Sequence, residues 1–194
     1  LAAAGGTAVS ALARGATLAA LQRHGWRLRT TAGQIEAPVR AAARAAELGQ
    51  QDVVFIAVKA PALAEVASQL EPLLRPRTLV VPAMNGVPWW FTDGVAGLDG
   101  LSLDSIDPGG RIARAIPIAT VIGAVVHASA STLEPGVVLH RMGQGLILGE
   151  PRGGRSERVQ ELVAHLVTAG FDATQSERIR DEVAVNRPPD WHRF

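Results

Sequence analysis

Of the 19 basic residues in this 194-residue chain only Lys59 is lysine, which leaves 18 arginines. Lys59 stands at the end of the apolar run Val53 to Val58. An ammonium there is a compact point charge suited to a phosphate or a polar substrate group. Arg14 likewise follows an apolar stretch, in Ala11-Leu12-Ala13-Arg14-Gly15. Asn85, in Pro82-Ala83-Met84-Asn85-Gly86, offers both a donor and an acceptor to a carboxamide or a hydroxyl. Each has an ordinary reading beside it: a lysine capping a strand in solvent, a loop arginine, an Asn-Gly turn. What distinguishes them is the kind of element that precedes each one.

Thr7 to Ala13 reads as a short strand and Ala16 to His24 as a helix, with Gly25 as its stop signal. Trp26 to Thr30 and Gln34 to Arg40 alternate across Thr31-Ala32-Gly33, which predicts a hairpin. Val53 to Val58 is continuous enough to be a strand covered on both faces. A helix is expected from Pro61 to about Leu74, then a short buried strand over Thr78 to Val81. Thr120 to Ala128 reads as a strand, and Gly136 to Arg141 with Leu146 to Gly149 as an antiparallel pair. Ser156 to Ala169 is an amphipathic helix capped by Ser156, Phe171 to Thr174 a strand, and a helix begins at Arg178. Pro188-Pro189 stops that last helix.

Buried strands alternating with helices predict an α/β fold with a Rossmann-like doubly wound parallel sheet. In such sheets ligands bind beyond the carboxyl ends of the strands. Lys59, Arg14 and Asn85 all fall at such ends. An acid at the end of the second strand binds the ribose 2′-hydroxyl of NAD, whereas an arginine accommodates the 2′-phosphate of NADP. No acid occurs from Leu1 to Ile35, so Arg14 favours NADP. Arg14 and Lys59, read as lying on neighbouring strands, are expected to reach one phosphate.

Other features carry less. The chain has no cysteine, which excludes disulfides and thiolate chemistry, and no His pattern suggests a metal site. A net charge of +1 with scattered signs gives no case for nucleic acid or a membrane surface. No apolar stretch approaches the roughly 20 residues of a membrane span, and the N-terminus lacks signal-peptide character, so the cytoplasm is the expected location. Gly143-Gln144-Gly145 is no phosphate loop, because its segment opens a strand. Asp104 to Gly110 reads as a turn, His127 as a structural histidine near the cleft, and Trp89 and Trp90 as packing residues.

Taken together, Ala13-Arg14-Gly15, Ala57-Val58-Lys59-Ala60, Pro82-Ala83-Met84-Asn85-Gly86 and Ile179-Arg180-Asp181-Glu182 resemble the ketopantoate reductase family over roughly residues 5 to 183. The resemblance implies NADPH-dependent reduction of the keto acid 2-dehydropantoate to pantoate, in pantothenate and coenzyme A synthesis. It implies that Arg14, Lys59, Asn85 and Ser129 contact NADP, with Asn85 also near substrate. It implies an NADP-binding domain over residues 1–175 and the start of a helical domain over 176–194. The family's first strand and glycine loop are not in this chain, so a truncated Rossmann unit, weakly active or inactive, is expected. The family's general acid is a lysine after the Ile-Arg-x-Glu element, and with Lys59 the sole lysine no catalytic residue is assigned here. A reductase of another 2-keto or β-keto acid, or a non-catalytic nucleotide-binding or dimerising module, stays open, as does a homodimer.

Overall fold

A computed structural model describes residues 1–185. The expected stop at Pro188-Pro189 lies outside the described residues. Strand β1 (Ser10–Leu12) leads into helix α1 (Gly15–His24), whose end at Gly25 has a φ of 71°. A Cβ at Gly25 would lie 2.4 Å from the Ala37 carbonyl oxygen, so only glycine closes this turn. Strands β2 (Trp26–Thr30) and β3 (Gly33–Ala37) form the predicted antiparallel hairpin. Strand β4 (Arg40–Ala42) then returns to lie parallel to β1.

Strand β5 (Val53–Ile56) pairs in parallel with β6 (Leu79–Pro82). The two-faced burial expected of β5 is not observed: Val54 and Ile56 are buried, but Phe55 on the opposite face is 36% exposed. The helix expected over 61–74 is also broken. Helix α2 covers only Leu63–Ala67, flanked by 3₁₀ turns at Ala60–Ala62 and Glu71–Leu73. Pro72 sits in the second turn and cannot donate the hydrogen bond that would continue the helix. After the loops of residues 83–107, helix α3 (Arg111–Ala115) is held by buried Asp107, which accepts from the Ile112 and Ala113 amides at 2.8 and 3.0 Å.

Val121 bridges Val80 in parallel, which sets the start of β7 (Gly123–Glu134) beside β6. Strand β8 (Val137–Gly149) runs antiparallel to β7 along its whole length. The antiparallel pair predicted within 136–149 is therefore one continuous strand. Gly143 does not turn the chain; its φ of 72° accommodates a bulge against His127. A Cβ there would stand 2.3 Å from the His127 carbonyl oxygen. At its start β8 pairs in parallel with β2, and near its end with β9 (Asp172–Gln175).

Between β8 and β9, helix α4 (Glu157–Thr168) begins where Ser156 accepts from the Val159 amide, as its cap residue predicts. Val159, Leu162 and Leu166 recur at helical spacing and are buried against Leu148 and Ala173. Each such side chain contributes about 1.5–3 kcal/mol on burial. A second, larger core gathers Ile56, Val80, Trp90, Ile112 and Val121, and helix α5 (Ile179–Val185) adds Ile179 and Val183 to it. The fold is α/β with parallel strand pairs. The pairs β1–β4 and β5–β6 belong to separate sheets, so Arg14 and Lys59 do not follow hydrogen-bonded neighbours as expected. No described helix is long and apolar enough to cross a membrane.

Candidate functional site

The carboxyl ends of β1, β5 and β6 carry the three residues singled out by sequence. Arg14 precedes α1 as its N-cap residue, and its guanidinium Nη1 lies 2.5 Å from Glu65 Oε1 on α2. The two side chains are 69% and 55% exposed. Hydrogen bonding to Glu65, then its charge, raises the Arg14 pKa above the ordinary guanidinium value. The same contact holds the Glu65 carboxyl below the usual carboxylate range. Glu65 went unnoticed in the sequence. The available signal was its place on the first turn of the helix that follows Lys59.

Lys59 directly precedes the 3₁₀ turn Ala60–Ala62, exposed and without an ion pair among the described residues. Arg14 therefore reaches the helix that begins just after Lys59, and the link runs through Glu65. Asn85 is tied differently. Its Nδ2 donates to the Val126 carbonyl and its Oδ1 accepts from the Val126 amide, both at 3.0 Å. The side-chain amide copies a backbone partner and extends the contact between β6 and β7. One Nδ2–H remains free of this pair. Ser129 lies three positions further along β7, exposed, where the β7–β8 register shifts.

A cleft of about 550 Å³ opens beside Asn85, with Met84, Val87, Trp89, Ile106 and Val183 in its wall. Trp89 and Trp90 are 7% and 3% exposed, so both pack in the core while lining the cleft. Gly123 allows this packing: a Cβ there would meet the Trp90 ring and Ile179 Cγ1 at 2.9 Å. The Trp90 indole Nε1 has no hydrogen-bond partner among the described residues.

Arg180 anchors the loop behind the tryptophans. Its Nε donates to the Phe91 carbonyl at 2.9 Å, and Nη2 donates to the Asp93 carbonyl. Burial lowers the Arg180 pKa, opposed by the charge of Asp93. Asp93 in turn accepts from Arg152 Nε at 2.8 Å, and that hydrogen bond holds its carboxyl below the ordinary range despite partial burial. Among the described residues no group of three or more His, Asp or Glu is placed to hold a metal.

Residues 1–89 match the model of the family described as ketopantoate reductase PanE/ApbA. The chain is 47% identical over 186 residues to a 2-dehydropantoate 2-reductase of Mesorhizobium japonicum, covering 95% of this chain and 57% of that protein. It thus spans little more than half the length of this curated relative. A crystal structure from Ralstonia solanacearum MolK2, assigned as a ketopantoate reductase, superposes with a TM-score of 0.90 at 51% identity. That match covers 94% of this chain and 56% of the other. The 2-dehydropantoate 2-reductase of Porphyromonas gingivalis W83 has a TM-score of 0.72 at 21% identity, over 91% of this chain and 56% of that one, and shares the fold. Sequence elements, fold and relatives agree: residues 1–89 match the model of the ketopantoate reductase PanE/ApbA family, and nearly the whole chain is similar to proteins of that description.

Proposed function

We propose that this domain serves NADPH-dependent reduction of 2-dehydropantoate to pantoate, binding the coenzyme along the carboxyl ends of β1, β5 and β6. The observation that carries the reading is that Arg14, Lys59 and Asn85 each follow the carboxyl end of a strand, with Asn85 lining the cleft. It is supported by the 47% identity to a 2-dehydropantoate 2-reductase.

The residues present fit the adenosine end of NADP. Lys59 is a solvent-facing cation, and Arg14 has Glu65 as its one ion-pair partner among the described residues. Both cations are free to take up an anion by exchange with water or with an exposed carboxylate. When bound, the reduced nicotinamide supplies the hydride that a ketone accepts. Arg14 and Lys59 hold the 2′-phosphate. Asn85, fixed by Val126, directs its remaining Nδ2–H toward the carboxamide or the substrate oxygen. Ser129 contributes from β7. The walls at Met84, Val87, Trp89 and Ile106 exclude water from the reacting carbonyl. No general acid is assigned to a residue of this chain. In this reading the NADP-binding unit covers residues 1–175, a helical unit follows, the enzyme is cytoplasmic, and two copies can pair.

A second substrate class is favoured by the apolar wall of the cleft. A 2-keto or β-keto acid with a larger apolar side chain would also be received there, since fold does not fix substrate.

The test is NADPH oxidation by the full-length protein with 2-dehydropantoate. Activity with that acid is expected; inactivity with it but activity with another keto acid would move the assignment to the second class. Arg14→Ala is expected to weaken NADPH about 10–100-fold, as loss of a charge-assisted bond implies, with little change for NADH. Equal weakening of both coenzymes removes Arg14 from the 2′-phosphate.

A further inference from the structure

We propose that Glu65 sets coenzyme preference by competing with the 2′-phosphate of NADPH for the Arg14 guanidinium. The inference rests on the reading of Arg14 given above and adds a residue that opposes it.

The geometry is specific. Glu65 Oε1 lies 2.5 Å from Arg14 Nη1, so the carboxylate occupies one edge of the guanidinium that an incoming phosphate would use. Among the described residues no other carboxylate pairs with Arg14. Glu65 lies on the first turn of α2, six positions after Lys59, so it enters the neighbourhood from the element that also follows the second cation. At neutral pH it is ionised, as any exposed glutamate is, and Arg14 lowers its pKa further.

Two consequences oppose NADPH. Part of the donor set of Arg14 is already used by a carboxylate, and a phosphate arriving there meets a negative charge a few ångströms away. Both partners are well exposed, and an exposed ion pair of this kind adds little stability, so the carboxylate yields its place readily. NADH carries a neutral 2′-hydroxyl at the same point and meets neither obstacle. Glu65 thereby narrows the gap between the two coenzymes. A purely supporting role, in which Glu65 holds Arg14 ready for the phosphate, predicts the opposite sign on removal of the charge.

The test is Glu65→Gln in the full-length protein, with NADPH and NADH titrated by calorimetry beside the parent and Arg14→Ala. Glutamine is isosteric and the position is exposed, so the fold is retained, which an unchanged melting curve checks. NADPH is expected to bind about three- to tenfold tighter to Glu65→Gln, with the gain shrinking at high salt, and NADH to change less than about twofold. Unchanged or weaker NADPH binding, with Arg14→Ala still selective against NADPH, overturns the competing role and leaves the Arg14 reading intact. If Arg14→Ala weakens both coenzymes equally, the Arg14 reading falls and the competing role falls with it.

Discussion

The side-chain amide of Asn85 and the backbone of Val126 exchange two hydrogen bonds, each 3.0 Å long, across 41 positions of sequence. A residue at a cleft is therefore also a splice between strands. Removing it unpairs the amide and the carbonyl of Val126. Asn85→Ala is expected to cost about 1–2 kcal/mol, and Asn85→Asp more, because a carboxylate would face the Val126 carbonyl with no proton to give. Urea denaturation measures this; a side chain serving ligand alone would leave the midpoint unmoved.

Glu150 and Arg158 form the better-buried ion pair, with side chains 15% and 34% exposed. Arg158 Nε donates to Glu150 Oε1 at 2.7 Å, and its other nitrogens reach the Ala119 and Val121 carbonyls. Burial alone would raise the Glu150 pKa, but hydrogen bonds from Arg158 and Ser156 with the Arg158 charge outweigh it and lower the value. A folded pKa below the unfolded one, about 4.3, gives stability that is present above the unfolded value. That stability is lost as pH falls through the folded value. Glu150→Gln should flatten this acid limb of the melting-temperature profile and cost about 2–3 kcal/mol at pH 7 by leaving a half-buried guanidinium unpaired.

Asp107, 3% exposed, caps α3 through two backbone amides. Asp107→Ala leaves both unpaired and is expected to cost about 1–2 kcal/mol, with Asp107→Asn recovering part through its one oxygen. Chemical denaturation of the two variants should rank them in that order.

Gly123→Ala tests the packing behind the cleft. Its methyl would press on the Trp90 ring and Ile179 at 2.9 Å, so the indole must move. A loss of about 1–3 kcal/mol is expected from overpacking, together with a changed near-ultraviolet circular dichroism band from the tryptophans. An unaltered band would mean that Trp90 is not held against β7.

What the sequence made legible was local. Alternation over Trp26–Thr30 fixed a hairpin, and the spacing of Val159, Leu162 and Leu166 after Ser156 fixed a capped helix. Contacts between distant residues left no such trace: Arg14 and Glu65 are 51 positions apart, and nothing in either neighbourhood names the other. The sequence points to Arg14 and Lys59 but carries no sign of the Glu65 carboxylate that pairs with Arg14. Elsewhere a visible signal was outweighed. Pro72 argued against a helix to Leu74, yet the leucine spacing prevailed. Gly143 resembles a turn residue, whereas a bulged strand uses glycine for the same freedom of φ.

That bulge has a reach beyond its own residue. Moving a strand by one position inverts the side of every side chain along it, and β8 binds β2 at one end and β9 at the other. The left-handed dihedral at Gly143 inserts its offset between those two ends, like the graduation of a vernier. A second one-residue shift, between Ser129 and Ala130, follows it, and the two together bring the outer hairpin and the layer under α4 back into phase.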